Sequence, residues 1–183
     1  MQTIPDVAAL APLLEYLDGL SARATVPELR RRMERLAITL DDVSEFVRFD
    51  ESRYLRNLVH EGKWYHILAI CWRSGQRSPI HNHAQSVCGL KVLTGVATET
   101  RFATTPCGQV KAVSSHDMLA GRLVVSHDAE IHQISNLQEP GSDLVTLHVY
   151  SPPLLRMDTY SLTDATIGEF RPMVLEYASG GGI

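Results

Sequence analysis

Short strand-like runs separated by turn residues occupy the chain from about Tyr54 towards its C-terminal end. The runs are rich in β-branched and aromatic residues and cover 65–72, 88–93, 96–102, 110–113, 123–125, 144–150, 159–162 and 170–177. Glycine and proline interrupt them at Gly75, Pro79, Gly95, Gly108, Gly121 and Pro140. Many short strands at regular spacing are typical of a β-sandwich or a β-barrel. The sequence therefore predicts a mainly β fold, with the barrel at 54–178.

The first 50 residues have helical periodicity instead. Apolar residues recur at three- and four-residue spacing, at Val7, Leu10, Leu13, Leu14, Leu17 and Leu20. A second helix is expected from Thr25, with Pro27 in its first turn, to about Leu36, and a third over 41–47. We expect one domain, 1–183, that comprises an N-terminal helical part (1–50), the barrel and a flexible tail (179–183).

Composition and charge exclude several classes of protein. A net charge of -4 and a pI of about 6.0 argue against a nucleic-acid or anionic-membrane partner, because both select basic surfaces. No apolar run approaches the roughly 20 residues of a membrane span, and no basic segment at the N-terminus indicates a signal peptide. Three cysteines, Cys71, Cys88 and Cys107, are too few and too odd for a disulfide framework. They predict a cytoplasmic location.

Three histidines, His81, His83 and His132, form the candidate metal site. Alternate residues of a strand point to the same face, so His81 and His83 are expected to face one interior point. On that pair alone, core histidines bonded to backbone carbonyls are an equal alternative. The surrounding spacing, from Gly75 to Gly95 and from Gly121 to Asn136, resembles the two motifs of the cupin superfamily. That resemblance implies a double-stranded β-helix (jelly-roll) barrel in which three histidines, usually with one glutamate, hold a metal.

Cys88 stands where most cupins carry the glutamate ligand. Three neutral imidazoles leave the charge of a ferrous ion uncompensated and several coordination positions open. Such a centre favours an anionic chelating substrate together with dioxygen. A three-histidine zinc site suited to hydrolysis or hydration is the competing interpretation, and Cys88 as a fourth ligand is another.

Four spaced motifs resemble those of cysteine dioxygenases, the thiol dioxygenases of the cupin superfamily. They are Arg53-Tyr54-Leu55-Arg56-Asn57-Leu58-Val59, Pro79-Ile80-His81-Asn82-His83, His132-Gln133-Ile134-Ser135-Asn136 and Thr146-Leu147-His148-Val149-Tyr150-Ser151-Pro152-Pro153. Asn82 replaces a more usual aspartate, and Thr146 replaces a serine. The resemblance implies that Arg56 binds the substrate carboxylate with Tyr54 beside it. The alternative for Arg56, without a role in function, is a surface salt bridge.

The resemblance also implies catalytic roles for Tyr150, His148 and Cys88. In the animal enzymes, the residues equivalent to Cys88 and Tyr150 are joined by a thioether. A buried structural thiol at Cys88 is the alternative. Thr146, His148 and Tyr150 alternate on one strand, so their side chains are expected to hydrogen-bond in series. That series either orients the Tyr150 hydroxyl towards substrate or is a satisfied core network.

The function implied is that of a non-haem Fe(II) enzyme that adds both atoms of O2 to the sulfur of L-cysteine, giving cysteine sulfinate. A dioxygenase for another small thiol, such as 3-mercaptopropionate, is the nearest alternative, and Met157 is a candidate to line the pocket and alter that preference. A non-catalytic cupin that senses a metal or ligand is the alternative from another class. His60, His66, His116 and His127 fit no ligand pattern.

Overall fold

Two antiparallel sheets face one another in the computed structural model, which describes residues 6–177. The strands are β1 (Leu55–Gly62), β2 (Tyr65–Trp72), β3 (Ile80–His81), β4 (Val87–Thr94), β5 (Val96–Thr104), β6 (Val110–Leu119), β7 (Leu123–Ser126), β8 (Ile131–Ser135), β9 (Leu144–Ser151), β10 (Met157–Tyr160) and β11 (Ile167–Phe170). Within the described residues, one sheet has the order β1-β2-β9-β4-β7 and the other β11-β10-β3-β8-β5-β6. The mainly β prediction is confirmed.

The N-terminal helices lie where the periodicity predicted them. A 3-10 helix, Ala8–Leu10, leads into α1 (Ala11–Asp18); α2 covers Val26–Glu34, and a second 3-10 helix covers Asp41–Phe46. The Thr25 hydroxyl caps α2, because it accepts a hydrogen bond from the Glu28 amide at 3.4 Å. None of the helices in residues 6–177 has the length and apolar character needed to cross a membrane.

The central strands β2, β4 and β9 are buried on both faces because each face packs on a different core. In β9, Leu147 and Val149 join the cluster that contains Leu13 and Leu29 of the helices. The alternating residues of the same strand, such as Tyr150, point into the space between the two sheets. The helices thus cover the outer face of one sheet, and its inner face is left for the site.

Several expected boundaries were wrong. Strands β1 and β8 were absent from the expected runs, and the strand at 170–177 is replaced by β11, which ends at Phe170. Pro172 interrupts that segment, and of its following residues Leu175 alone forms a bridge, to Asn57 of β1. The predicted tail, 179–183, lies outside the described residues.

Candidate metal centre and active site

The three histidines converge on one point between the sheets. His81 ends β3 and is the direct partner of His132 on β8. The expectation that one strand carries both His81 and His83 was wrong, because β3 ends at His81. A turn brings His83 back, with Ala84 at φ 47° and its amide bonded to the Asn82 side chain at 3.0 Å. The ligand nitrogens of the three histidines lie within 4.8 Å of one another, and all three residues are buried.

Hydrogen bonds fix how two of the rings present their nitrogens. His81 Nδ1 lies 2.9 Å from the Pro79 carbonyl oxygen, and His132 Nδ1 lies 2.8 Å from Glu99 Oε1. Both Nε2 atoms are therefore free to bind a cation. Burial, followed by repulsion from His132, lowers the pKa of His81 to about 3. The same causes hold the pKa of His83 well below its usual value, so that both rings are neutral, the form in which histidine binds a metal.

This donor set fits a divalent transition metal. Nε2 of His83 and Nε2 of His132 are 3.1 Å apart. Two nitrogens bound at about 2.1 Å to one ion, at right angles, are separated by about 3 Å. Imidazole donors favour zinc, iron, copper or nickel over magnesium or calcium, which prefer oxygen ligands. His81, His83 and His132 would hold the ion, and the cavity side would remain open to a substrate.

Glu99 is a site residue that the sequence motifs did not indicate. It lies on β5, is only 2% exposed, and accepts the hydrogen bond from His132 Nδ1. Its second oxygen, Oε2, is 3.2 Å from Arg101 Nε and 3.2 Å from His116 Nε2. Burial opposes its ionisation, but His132 and Arg101 outweigh burial and lower the pKa of Glu99. A buried carboxylate therefore hydrogen-bonds to Nδ1 of His132, the ring nitrogen that does not face the predicted metal.

Arg56 carries a charged group into the same cavity. The residue is 4% exposed on β1, and its Nε and Nη2 atoms are buried without a hydrogen-bond partner in the described part of the chain. The guanidinium carbon lies 5.2 Å from the centre of the Tyr150 ring. The surface salt bridge considered for Arg56 is thus wrong. The cavity is lined by the three histidines and by Tyr54, Trp72, His148, Tyr150 and Met157, among others.

Tyr54 lies beside Arg56, as the resemblance implied. Its ring stacks on Trp72 with centroids 4.3 Å apart and an interplanar angle of 18°. Burial raises the pKa of Tyr54. Tyr54 and Arg56 also line a second, outer cavity with Phe170 and Met173, so both residues lie between the metal site and that outer cavity.

Thr146, His148 and Tyr150 form a hydrogen-bonded series along β9. Thr146 Oγ1 lies 3.0 Å from His148 Nε2, and His148 Nδ1 lies 3.0 Å from the Tyr150 hydroxyl. Trp72 Nε1 donates a hydrogen bond to Thr146 Oγ1 at 3.1 Å and fixes the Thr146 end of the series. Burial keeps the pKa of His148 well below, and that of Tyr150 well above, the usual values. A neutral imidazole with one donor and one acceptor can therefore relay a proton to or from the phenol.

Cys88 lies directly across from Tyr150 in the pairing of β4 with β9. Its Sγ is 3.8 Å from His148 Nδ1, the atom that also contacts the Tyr150 hydroxyl. Burial raises the pKa of the Cys88 thiol to about 12. The residue is therefore a neutral thiol beside the phenol, and a fourth-ligand role is not supported because the metal cluster comprises only the three histidines among the described residues.

The remaining histidines serve other contacts. His60 bonds to the Tyr65 hydroxyl at 3.0 Å, and His66 and His127 lie near Glu61 and Glu130. Within residues 6–177, none of them joins the metal-binding group.

Comparison with solved structures supports the fold. A solved structure from Klebsiella pneumoniae, described as an uncharacterized conserved protein with a double-stranded β-helix domain, superposes with a TM-score of 0.51 at 17% identity. The match covers 65% of this chain and 94% of that chain, and it confirms the cupin-type fold.

Relatives in sequence are more specific. The Bos taurus protein named cysteine dioxygenase type 1 is 30% identical over 182 residues, which cover 95% of this chain and 88% of the relative. The Danio rerio protein of the same name is 33% identical over 147 residues, 74% of this chain and 69% of the relative. A family model described as cysteine dioxygenase type I matches residues 4–163. The chain therefore belongs to the cysteine dioxygenase type I family.

Proposed function

We propose that this enzyme holds Fe(II) through His81, His83 and His132 and adds both atoms of O2 to the sulfur of L-cysteine. The product is cysteine sulfinate: one thiol and one O2 give one sulfinic acid, with sulfur oxidised and O2 reduced by four electrons. When bound, the ferrous ion supplies coordination positions for the thiolate and amine and the electrons that activate dioxygen. The family membership of the chain and the three-histidine cluster support the proposal.

The unpaired guanidinium of Arg56 is the observation that favours cysteine as the substrate. A buried charge without a partner is costly, and a planar fork of donors matches a carboxylate in two-point contact. Arg56 Nε and Nη2 are buried and unpaired beside the histidine cluster. Cysteine carries its carboxylate and amine on Cα and its thiol on the adjacent Cβ, so that the carboxylate can bind Arg56 while the amine and thiol reach the metal site.

Tyr150 and His148 would control protons at the substrate. The raised pKa keeps the Tyr150 phenol protonated, so its hydroxyl can donate a hydrogen bond into the cavity. His148 holds the other side of that hydroxyl, and Thr146 holds His148. The series therefore fixes the direction in which the Tyr150 hydroxyl points.

We also propose the thioether between Cys88 Sγ and a ring carbon of Tyr150. Formation of this C–S bond breaks the S–H bond of Cys88 and one ring C–H bond of Tyr150, and the two electrons and two protons released reduce one O2 to hydrogen peroxide. The cross-strand pairing of the two residues supports it. A cytoplasmic location remains the proposal from the sequence, in keeping with three cysteines that form no disulfide.

The test uses three thiols that differ by one group each. Cysteine carries amine and carboxylate, 3-mercaptopropionate lacks the amine, and cysteamine lacks the carboxylate. With Fe(II)-loaded enzyme we expect O2 uptake to be fastest with cysteine, and isotopically labelled O2 to place two labelled atoms in the sulfinate. Zinc-loaded enzyme should be inactive, because zinc does not change oxidation state. Absence of O2 uptake, or faster turnover of 3-mercaptopropionate, would contradict the proposal.

A further inference from the structure

Glu99 occupies a position that a purely structural ion pair does not explain. The pairing of β5 with β8 sets Arg101 opposite His132, so Glu99, two residues away on the same face, is diagonal to His132. Its Oε1 is 2.8 Å from His132 Nδ1. Arg101 is 42% exposed, and a surface pair between Arg101 and a carboxylate would not require burying that carboxylate to 2% exposure.

The charge of the proposed metal centre explains why the Glu99 carboxylate is buried. The three predicted ligands are imidazoles, which bring no negative charge to a divalent cation. A carboxylate that accepts a hydrogen bond from a ligand histidine fixes the ring and makes its other nitrogen a stronger donor. Arg101 and His116 hold Glu99 Oε2, so that Oε1 stays directed at His132.

We propose that Glu99 is a positioning residue of the metal centre: it orients His132 Nε2 towards the ion and supplies the negative charge that the three imidazoles lack. The inference rests on the proposed Fe(II) site. Most cupins carry a carboxylate among the ligands themselves, whereas here a carboxylate on β5 contacts a ligand histidine, on the ring nitrogen that does not face the metal site. A nearby anion stabilises Fe(III) more than Fe(II), so Glu99 should keep the reduction potential of the bound iron low.

The experiment compares Glu99→Gln with Glu130→Gln. Glu130 Oε2 lies 3.8 Å from the same Arg101, so its substitution removes a charge nearby without touching a predicted ligand. Fe(II) affinity is measured without oxygen by competition with a chelator, and the Fe(III)/Fe(II) potential by electrochemical titration. We expect E99Q to weaken Fe(II) binding roughly 10- to 100-fold and to raise the potential. E130Q should stay near the wild type in both, and Glu99→Asp should weaken binding while keeping a near-native potential.

Wild-type affinity or wild-type potential in E99Q would overturn the inference, as would shifts of equal size in E130Q. Failure of the wild type to bind iron would instead overturn the proposed iron site, and this inference with it. If E99Q does not fold, Glu99→Asp is measured in its place, because the shorter side chain keeps the charge and withdraws it from His132 Nδ1. Wild-type Fe(II) affinity in E99D would then overturn the proposal.

Discussion

Arg56 lacks hydrogen-bond acceptors from the protein: two of its buried nitrogens have no hydrogen-bond partner within residues 6–177. Replacing it with alanine removes a charge-assisted contact worth about 1.5–3 kcal/mol. We therefore expect Arg56→Ala to raise KM for cysteine on the order of 10- to 150-fold, while the Fe(II) content stays unchanged. Steady-state O2 uptake and metal analysis measure the two quantities.

Cysteamine provides the control for Arg56, because it has no carboxylate to lose. The R56A substitution should leave turnover of cysteamine nearly unaffected. Equal losses with cysteine and cysteamine would show that Arg56 supports the fold rather than the substrate.

The three thiols differ in environment and should differ in reactivity. Alkylation requires the thiolate, so a raised pKa slows it. Burial raises the pKa of Cys71 to about 11 and that of Cys88 to about 12, whereas the Thr105 hydroxyl lowers the pKa of the exposed Cys107. Iodoacetamide at about pH 8 should label Cys107 alone in the native protein, as peptide mass mapping would record.

The same peptide map tests the thioether. After turnover with cysteine and then denaturation, Cys71 should become alkylated, while Cys88 should be recovered joined to the Tyr150 peptide. Cys107→Ser is the matched variant, and its native form should take up no label. A fully alkylated Cys88 in enzyme that has turned over would contradict the crosslink.

Sequence predicts the three histidines that the structure brings together because they lie in two short motifs, and it misses Glu99 because nothing local marks that residue. Glu99 and His132 are 33 residues apart and meet only through the pairing of β5 with β8. The sequence signal that could have indicated Glu99 is the alternation of side chains along a strand. Ala97 and Glu99 fall on the same face of β5, and Ala97 is fully buried. A carboxylate on a core-facing position indicates a polar partner inside.

At the scale of elements, helix α2 lies directly against β4. A Cβ on Gly89 would overlap Met33 Sδ of α2, in the strand position next to Cys88. Overpacking of this kind costs about 1–3 kcal/mol. We expect Gly89→Ala to lower Tm by several degrees in a thermal unfolding experiment.

Two variants check the cause of that loss. Gly19→Ala is the matched glycine substitution, because Gly19 has φ -76° and its nearest neighbour would be at an ordinary 3.5 Å. It should leave Tm nearly unchanged. Met33→Ala combined with Gly89→Ala should be less destabilised than the two single losses added together, and additive losses would exclude the overlap as the cause.

Element boundaries were less predictable than element types. The first helix follows from its apolar periodicity and the second from Thr25 and Pro27, which are local signals, and β2 follows from an unbroken apolar run. By contrast, β3 has only two residues and exists because His81 pairs with β8 and Thr159 pairs with β3. Such pairing is non-local, so no window of sequence contains it.

Across the whole molecule, the histidine cluster joins segments distant in sequence: β3 with its following turn, and β8. An ion that binds only the folded state adds its binding free energy to stability. At a free metal concentration about 100 times Kd the gain is about 2.7 kcal/mol, or roughly 5–10 °C in Tm for a chain of this size. Fe(II), added without oxygen, should therefore raise Tm, and a chelator should reverse the rise.

The matched variants for this experiment are His132→Ala and His127→Ala. Both remove one imidazole close in sequence, but His127 is exposed and pairs with Glu130 outside the cluster. H132A should lose the metal-dependent rise in Tm, and H127A should keep it. An equal rise in H132A would show that the ion binds elsewhere.

The fold as a whole was the most predictable level, because spaced motifs determine which strands surround the site. The way in which the C-terminal segment closes the sheet was not predicted. Leu175 exchanges backbone hydrogen bonds with β1, donating to the Arg56 carbonyl at 2.9 Å and accepting from the Leu58 amide at 2.8 Å. Pro172 breaks the local strand pattern, so that this segment is fixed by contacts distant in sequence: the pairing with β1 and the packing of the Tyr177 ring on Phe46.

The two-faced character of β9 has a consequence for altering this enzyme. Even-numbered positions such as Thr146, His148 and Tyr150 face the site, and odd-numbered positions such as Leu147 and Val149 face the helices. Substitutions at the even-numbered positions of β9 can therefore alter substrate preference, and substitutions at the odd-numbered positions can alter thermal stability. Mutational libraries drawn on alternate codons of β9 would explore the two traits separately.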